Sequence, residues 1–154
     1  ETIAKGQPAT WTHGVQAVQQ FLAKAGIEGS QYRCENGSGL FDSNALSPMQ
    51  IVKVLQLAQE DFRWGPDLVA SLAIAGGDGT LAQRMDEGPA ARRIRAKTGT
   101  LAQASALSGL AAVSGNSPLI FSVLVNGFPE GSIGIARALQ NDIGEQLIRV
   151  LDGT

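Results

Sequence analysis

The hydrophobic periodicity of this 154-residue chain predicts an α+β fold, an antiparallel sheet covered by helices. Three observations carry the prediction. Apolar residues recur at helical spacing through the first half of the chain and again at its end. After Pro89 the period changes to alternation, the mark of a strand. Two apolar runs in that region are separated by Ser114-Gly115-Asn116-Ser117-Pro118, a hairpin turn by composition. Helices, then a meander, then a helix suit an α+β fold or an α/β sandwich of helices on a sheet.

Taken in order, the segment 12–25 reads as an amphipathic helix. Val15, Val18, Phe21 and Leu22 line one side, and Gly26 is placed to end it. A Gly- and polar-rich loop over 28–44 follows. The next helix has a full start signal, with Ser47 as N-cap, Pro48 in the first turn and Gln50 three residues after the cap. Ile51, Val54, Leu55 and Ala58 form its buried stripe. Pro66 opens a shorter helix with Leu68, Val69 and Leu72 on its apolar side, and Gly76-Gly77 as its stop. Arg93, Arg95 and Lys97 then alternate with Ile94, Ala96 and Thr98 as a strand, and two more strands are predicted over about 105–113 and 119–126. A closing helix over about 132–151 repeats Ile135, Leu139, Ile143 and Leu147 every four residues. Three strands are few for this length, so further strands or heavy cover are expected. The opening Glu1-Thr-Ile-Ala-Lys5 reads as the tail of a helix already under way, so the chain is expected to be a piece of something longer.

Composition narrows the function classes. Hydrophobic residues make up 44% and charged residues 17%, which permits a real core and argues against disorder. Twelve basic against fourteen acidic residues leave a net charge of −2, unlike a protein built to coat nucleic acid. No apolar run approaches the roughly 18–20 residues of a membrane span. Cys34 is a single thiol and cannot form an internal disulfide; as a nucleophile it would have only His13 as a base. With one His and one Cys well apart, no cluster has metal-ligand spacing, and no metal or other cofactor is expected. Gly76-Gly-Asp-Gly79 lacks the Gly-Lys-Ser/Thr of a phosphate loop and reads as a turn, with Asp78 as a turn or capping group. Trp11 and Trp64 read as core or rim packing.

The sharpest chemical signal is Lys97-Thr98-Gly99-Thr100 on a predicted strand. An ammonium and a hydroxyl side by side can bind a carboxylate, a glycine leaves the strand surface bare, and the next backbone N–H can stabilise an oxyanion. The same residues also fit a strand with a solvated basic face, Arg93-Arg95-Lys97.

Four blocks in order resemble the penicillin-binding D-Ala-D-Ala carboxypeptidase/endopeptidase family whose catalytic domain carries large inserted domains. They are Asn36-Gly-Ser-Gly-Leu40; Ala75-Gly-Gly-Asp-Gly-Thr-Leu81; Arg95-Ala-Lys-Thr-Gly-Thr-Leu101 with Ser105-Ala-Leu-Ser-Gly109 after it; and Phe121-Ser-Val-Leu-Val-Asn-Gly127. The resemblance implies a β-lactamase/transpeptidase-like fold. It also implies serine hydrolysis of peptidoglycan stem peptides through an acyl-enzyme, inhibition by β-lactams and a periplasmic or extracytoplasmic setting. By position, Lys97 and Thr98 would orient the substrate carboxylate, Gly99 would give backbone clearance, and Thr100 would supply an oxyanion N–H. Ser38, Gly39 and Asp78 would lie in loops beside the substrate. Strict alternation puts Thr98 on the face opposite Lys97, whereas the family uses both side chains.

Three departures bear on this reading. No lysine is preceded at three residues by serine, so the family's Ser-x-x-Lys nucleophile and base are absent. The one Ser-x-Asn, at Ser114-Gly115-Asn116, follows the Lys-Thr-Gly instead of preceding it and reads as a chance match. Phe41-Asp42 stand where relatives often have Ser-Arg. Residues 1–154 are therefore expected to be the C-terminal part of a single catalytic domain that lacks its N-terminal strands. The missing polypeptide, or a companion chain, would pack against them. A non-catalytic binding or scaffold module of the same ancestry is the alternative.

Overall fold

The computed structural model describes residues 9–40, 43–112, 115 and 117–153. Helix α1, Trp11–Lys24, begins at Thr10, whose hydroxyl accepts from the His13 N–H at 3.2 Å, and its exit turns on Gly26 at φ +69°. Helix α2, Pro48–Glu60, carries the predicted reciprocal cap. The Gln50 N–H donates to Ser47 Oγ at 3.3 Å, and the Ser47 N–H donates to Gln50 Oε1 at 2.8 Å. Its inner face is the predicted one, with Ala58 buried and Ile51, Val54 and Leu55 half-buried. Phe21 of α1 meets the Trp64 ring at a centroid distance of 5.8 Å, while Trp11 is 71% exposed and packs into no core.

Helix α3, Gly65–Ser71, ends sooner than its sequence pattern suggests. The chain leaves it at Leu72 and forms a two-residue strand, β1, Ala73–Ile74. Backbone pairing explains the early exit: the Ala75 N–H donates to the Ile94 carbonyl at 2.9 Å, and the Arg92 N–H to the Ala75 carbonyl at 2.8 Å. Gly76-Gly77 therefore serve the turn after a strand and do not stop the helix. The sheet continues with β2, Ile94–Leu101, β3, Ala104–Ala111, and β4, Leu119–Asn126, in the antiparallel order β1-β2-β3-β4. Four strands are thus described where the sequence suggested three. The helical start at Glu1–Lys5, Phe41-Asp42 and the Ser114/Asn116 pair lie outside the described residues.

Register follows the pleat. Ile94, Ala96, Thr98 and Thr100 share one face with Leu107, Gly109 and Ala111 of β3 and with Leu119, Phe121 and Val123 of β4. Against this face packs helix α4, Ile133–Asp152, whose Ile148 joins Ile94, Ala96, Leu107, Ala111 and Phe121 in one buried cluster. Lys97, Gly99, Ser108, Leu110 and Ser122 belong to the opposite face, where α2 lies over β3 and β4. Gly109 permits the β2–β3 contact, because a Cβ there would fall 2.1 Å from the Arg95 carbonyl oxygen and 2.6 Å from Ala96 Cα.

The closing helix turns a different side inward from the one its large residues mark. Ala136, Gln140, Gly144 and Ile148 are buried, whereas Ile135 is 74% exposed and Leu139 48%. Small residues decide this: a Cβ at Gly144 would meet Met85 Sδ at 2.7 Å and Ile94 Cδ1 at 3.0 Å, so only the Ala/Gly face can come this close to the sheet. A bidentate ion pair, Arg93 to Asp152 at 2.5 and 2.8 Å, ties the end of α4 to the residue just before β2.

Candidate functional site

Strand β1 is so short that it covers β2 only as far as Ala96. In an antiparallel ladder the N–H and C=O of one residue point to the same side, and the sides alternate. Ile94 offers its carbonyl to the β1 segment, and Arg93 gives its own to Ala112 beyond β3. By that alternation Thr98 and Thr100 direct their backbone groups outward, past the end of β1. Among the described residues the result is a strand edge over residues 97–101 that no other strand covers, the kind of edge to which an extended segment can add.

The four motif residues of β2 surround this edge. Lys97 is exposed on the α2 face, yet its long stem folds over and Nζ donates to the Thr98 carbonyl at 2.6 Å. Lys97 and Thr98 do occupy opposite faces, as alternation requires. The lysine stem nevertheless reaches around the strand, so that its ammonium meets the backbone of Thr98 while the Thr98 hydroxyl stays on the other face. Gly99 faces Ala106, where an added Cβ would sit 3.2 Å from the alanine Cβ. Thr98 Oγ1 donates to Thr80 Oγ1 at 2.9 Å, and Thr80 stands in a 3-10 turn, Gly79–Leu81, that begins from Asp78. The Asp78 carboxylate accepts the Ile74 N–H at 2.7 Å, closing the turn that presents Thr80. Asp78 also lines an open groove of about 730 Å³ together with Arg95, Ile74 and Val69.

Beneath the far end of the strand lies a polar network that the motif string does not reveal. Gln140 is fully buried in α4. Its amide donates to Ser105 Oγ at 3.1 Å, and its Oε1 accepts from Arg84 Nη2 at 3.1 Å. Arg84 is held further by Asn141 Oδ1 at 2.9 Å and the Arg137 carbonyl at 3.4 Å. Burial, and next the charge of Arg137, pull the Arg84 guanidinium below its ordinary value. Arg137 Nη2 reaches Thr100 Oγ1 at 3.5 Å. Thr80, Arg84, Arg137 and Gln140 went unread in the sequence. A glutamine amid an alanine and glycine stripe was the one signal available for Gln140.

Ser38 and Gly39 occupy an exposed loop whose hydrogen bonds are internal. The Ser38 N–H and Oγ both donate to Asn36 Oδ1, at 3.1 and 2.8 Å, and Gly39 takes φ +70°. Asn44 braces the same loop through Glu35 and Asn36. Cys34, a half-buried free thiol, leans on the Asn36 carbonyl at 3.8 Å.

A helix-covered antiparallel sheet with a lysine-threonine strand bared along its edge has the architecture of penicillin-binding peptidases. The chain matches the D-Ala-D-Ala carboxypeptidase 3 (S13) family over residues 2–149, and it belongs to that family. It is 35% identical over 133 residues to a D-alanyl-D-alanine carboxypeptidase of Actinomadura sp. strain R39, covering 82% of this chain and 24% of that protein. It is also 35% identical over 131 residues to carboxypeptidase DacB of Mycolicibacterium smegmatis, covering 80% of this chain and 28% of the relative. The chain thus spans about a quarter of the length of these relatives. Penicillin-binding protein 4 of Haemophilus influenzae, solved with a β-lactam, superposes with a TM-score of 0.78 at 24% identity, over 92% of this chain and 34% of that one. A predatory endopeptidase of Bdellovibrio bacteriovorus, solved acylated by penicillin G, gives a TM-score of 0.74 at 26% identity, over 90% and 40%. Among the described residues no helix is long and apolar enough to cross a membrane.

Proposed function

We propose that this chain is the C-terminal part of a single penicillin-binding catalytic domain, and that the whole protein is a serine D-Ala-D-Ala carboxypeptidase/endopeptidase of the bacterial cell wall. The observation that carries this reading is the bare edge of β2, with the Lys97 ammonium folded onto it and the backbone of Thr98 and Thr100 turned outward. A stem peptide would add to this edge as a strand, its terminal carboxylate drawn to Lys97 and the Thr98 hydroxyl. Gly99 would let the peptide lie close, and the Thr100 N–H would receive the carbonyl oxygen as it becomes an oxyanion. Ser38, Gly39 and Asp78 would border the bound peptide.

The nucleophile lies elsewhere in this proposal. An upstream serine, deprotonated by the lysine of its Ser-x-x-Lys, attacks the carbonyl of the penultimate D-Ala. The serine–acyl bond forms, the peptide C–N bond breaks, and the departing amine takes the proton that the serine gave up. Water then attacks the ester, releasing the shortened peptide and restoring the serine. A β-lactam would stop at the acyl stage. Such chemistry belongs outside the cytoplasm, in the periplasm or its equivalent. The exposed Ile135, Leu139 and Ile143 and the open strand edge suit burial by the remaining polypeptide, or by a companion chain.

Labelled penicillin tests the reading. The full-length polypeptide should form a covalent adduct, and Lys97→Ala should slow its formation by at least about a hundredfold while the fold persists. Residues 1–154 alone should take no label; an adduct mapped to a residue within them refutes the proposal. An upstream sequence without Ser-x-x-Lys would instead support a non-catalytic binding module.

A further inference from the structure

The outer end of the bare edge carries more positive charge than Lys97 alone supplies. Arg137 projects from α4 to within 3.5 Å of Thr100 Oγ1, on the face opposite the one from which Lys97 approaches. Its side chain is exposed, and among the described residues no carboxylate pairs with it. Behind it stands a second guanidinium, Arg84, half-buried and held, among the described residues, by neutral acceptors: Asn141 Oδ1, Gln140 Oε1 and the Arg137 carbonyl. Glu145, more than two turns further along the same helix, accepts the Ala90 N–H at 3.1 Å. Among the described residues neither cation has a carboxylate within ion-pair distance, and the two together give a positive potential beside Thr100, where an anion gains from both. Arg84 is fixed by three hydrogen bonds, whereas exposed Arg137 has only the long contact to Thr100 Oγ1 among the described residues and can turn toward a ligand.

We propose that Arg137 is a specificity-determining residue of the β2 edge, its guanidinium binding the free α-carboxylate of a peptide seated there. This rests on the function proposed above and extends it. A fork of N–H donors matches the two anionic oxygens of a carboxylate, whereas an amide or a continuing peptide bond offers it a single neutral carbonyl oxygen. Arg137 would therefore bias the site toward chain ends and away from internal crosslinks, and do so mainly through substrate binding.

The test compares two acyl-D-Ala-D-Ala peptides, one ending in the free carboxylate and one in the C-terminal amide, on the full-length polypeptide. The wild type should favour the carboxylate. Arg137→Gln should shrink that preference by about tenfold or more, chiefly in KM, and Arg137→Lys should recover part of it. A pH-independent loss in Gln and partial rescue by Lys is not what a merely structural role would give, and melting temperatures verify that both variants fold. A preference within twofold of wild type in Arg137→Gln overturns the inference. So does a wild type that is acylated by penicillin but shows no preference between the peptides, and in that case the proposed function stands. A wild type that penicillin does not acylate removes the underlying reading and this inference with it.

Discussion

Gly109 is the position where one added methyl should do most harm to strand β2. In Gly109→Ala the new Cβ would lie 2.1 Å from the Arg95 carbonyl oxygen, 2.6 Å from Ala96 Cα and 2.8 Å from Ala96 Cβ. An ordinary C···O contact is about 3.3–3.6 Å, so the two strands must part by roughly 1 Å at this point. Two of these atoms are backbone, and no side chain can swing aside to absorb the methyl. Ladder bonds, ordinarily about 2.9 Å, would stretch beyond the useful range around Ala96, the residue before Lys97. Losing two of them at about 1 kcal/mol each, with about 1–3 kcal/mol of overpacking, gives roughly 3–5 kcal/mol. For a protein of this size that lowers the melting temperature by roughly 6–20 °C. Thermal unfolding by circular dichroism reads it, with Gly134→Ala as the control. Gly134 lies in α4 with nothing within 4 Å of its added Cβ, so alanine there should stabilise by up to about 1 kcal/mol. A Gly109→Ala protein that melts within 2 °C of wild type would refute the reasoning from backbone approach.

Three further outcomes follow from contacts already described. Gln140→Leu leaves the buried Ser105 hydroxyl and one Arg84 donor without their partner and should cost about 2–3 kcal/mol, read as a lower urea midpoint; an unchanged midpoint refutes the network. Thr80→Val removes the acceptor that orients the Thr98 hydroxyl and should slow penicillin acylation of the full-length polypeptide about fivefold, with Thr80→Ser near wild type; equal rates in Val and Ser variants would refute a hydroxyl role. Hydrogen bonds from Arg93 hold the Asp152 carboxyl below its ordinary value, so its folded form binds a proton less readily than its unfolded form. That contribution is full above the usual carboxylate pKa, about 3.9, and fades as pH falls through the lowered folded value. Melting temperature measured from about pH 6 down to about pH 2 should therefore fall less steeply in Asp152→Asn than in wild type. Parallel curves would refute the linkage.

What the sequence made legible was local. The Ser47–Gln50 cap of α2 depends on residues three apart, and β4 keeps its predicted bounds because its apolar run is bracketed by turn residues. Strand β1 was illegible because two residues have no period, and only its pairing with a partner some twenty residues away makes it a strand. Helix α4 contains two rows of four-residue spacing, one position apart. Residue size favoured the row from Ile135, while the room available against Met85 and Ile94 selected the row from Ala136. In the candidate site the string Lys97-Thr98-Gly99-Thr100 was readable because one strand holds all of it. Thr80 and Arg137 arrive from a turn and a helix distant in sequence; the Ala75–Leu81 block flagged the turn without singling out Thr80, and nothing around Arg137 marks it.

The brevity of β1 has a consequence for how copies of this chain meet one another. About five uncovered residues at ~3.3 Å each make a seam about 17 Å long, enough to template a strand from another molecule. Lys97 sits across that seam, and a second copy adding itself there would bring its own ammonium to the same junction. The charge that would draw an anionic peptide to the edge thus also repels self-association through it. Replacing Lys97 by alanine removes an attraction and a safeguard together, so the seam becomes less selective and more adhesive in one step.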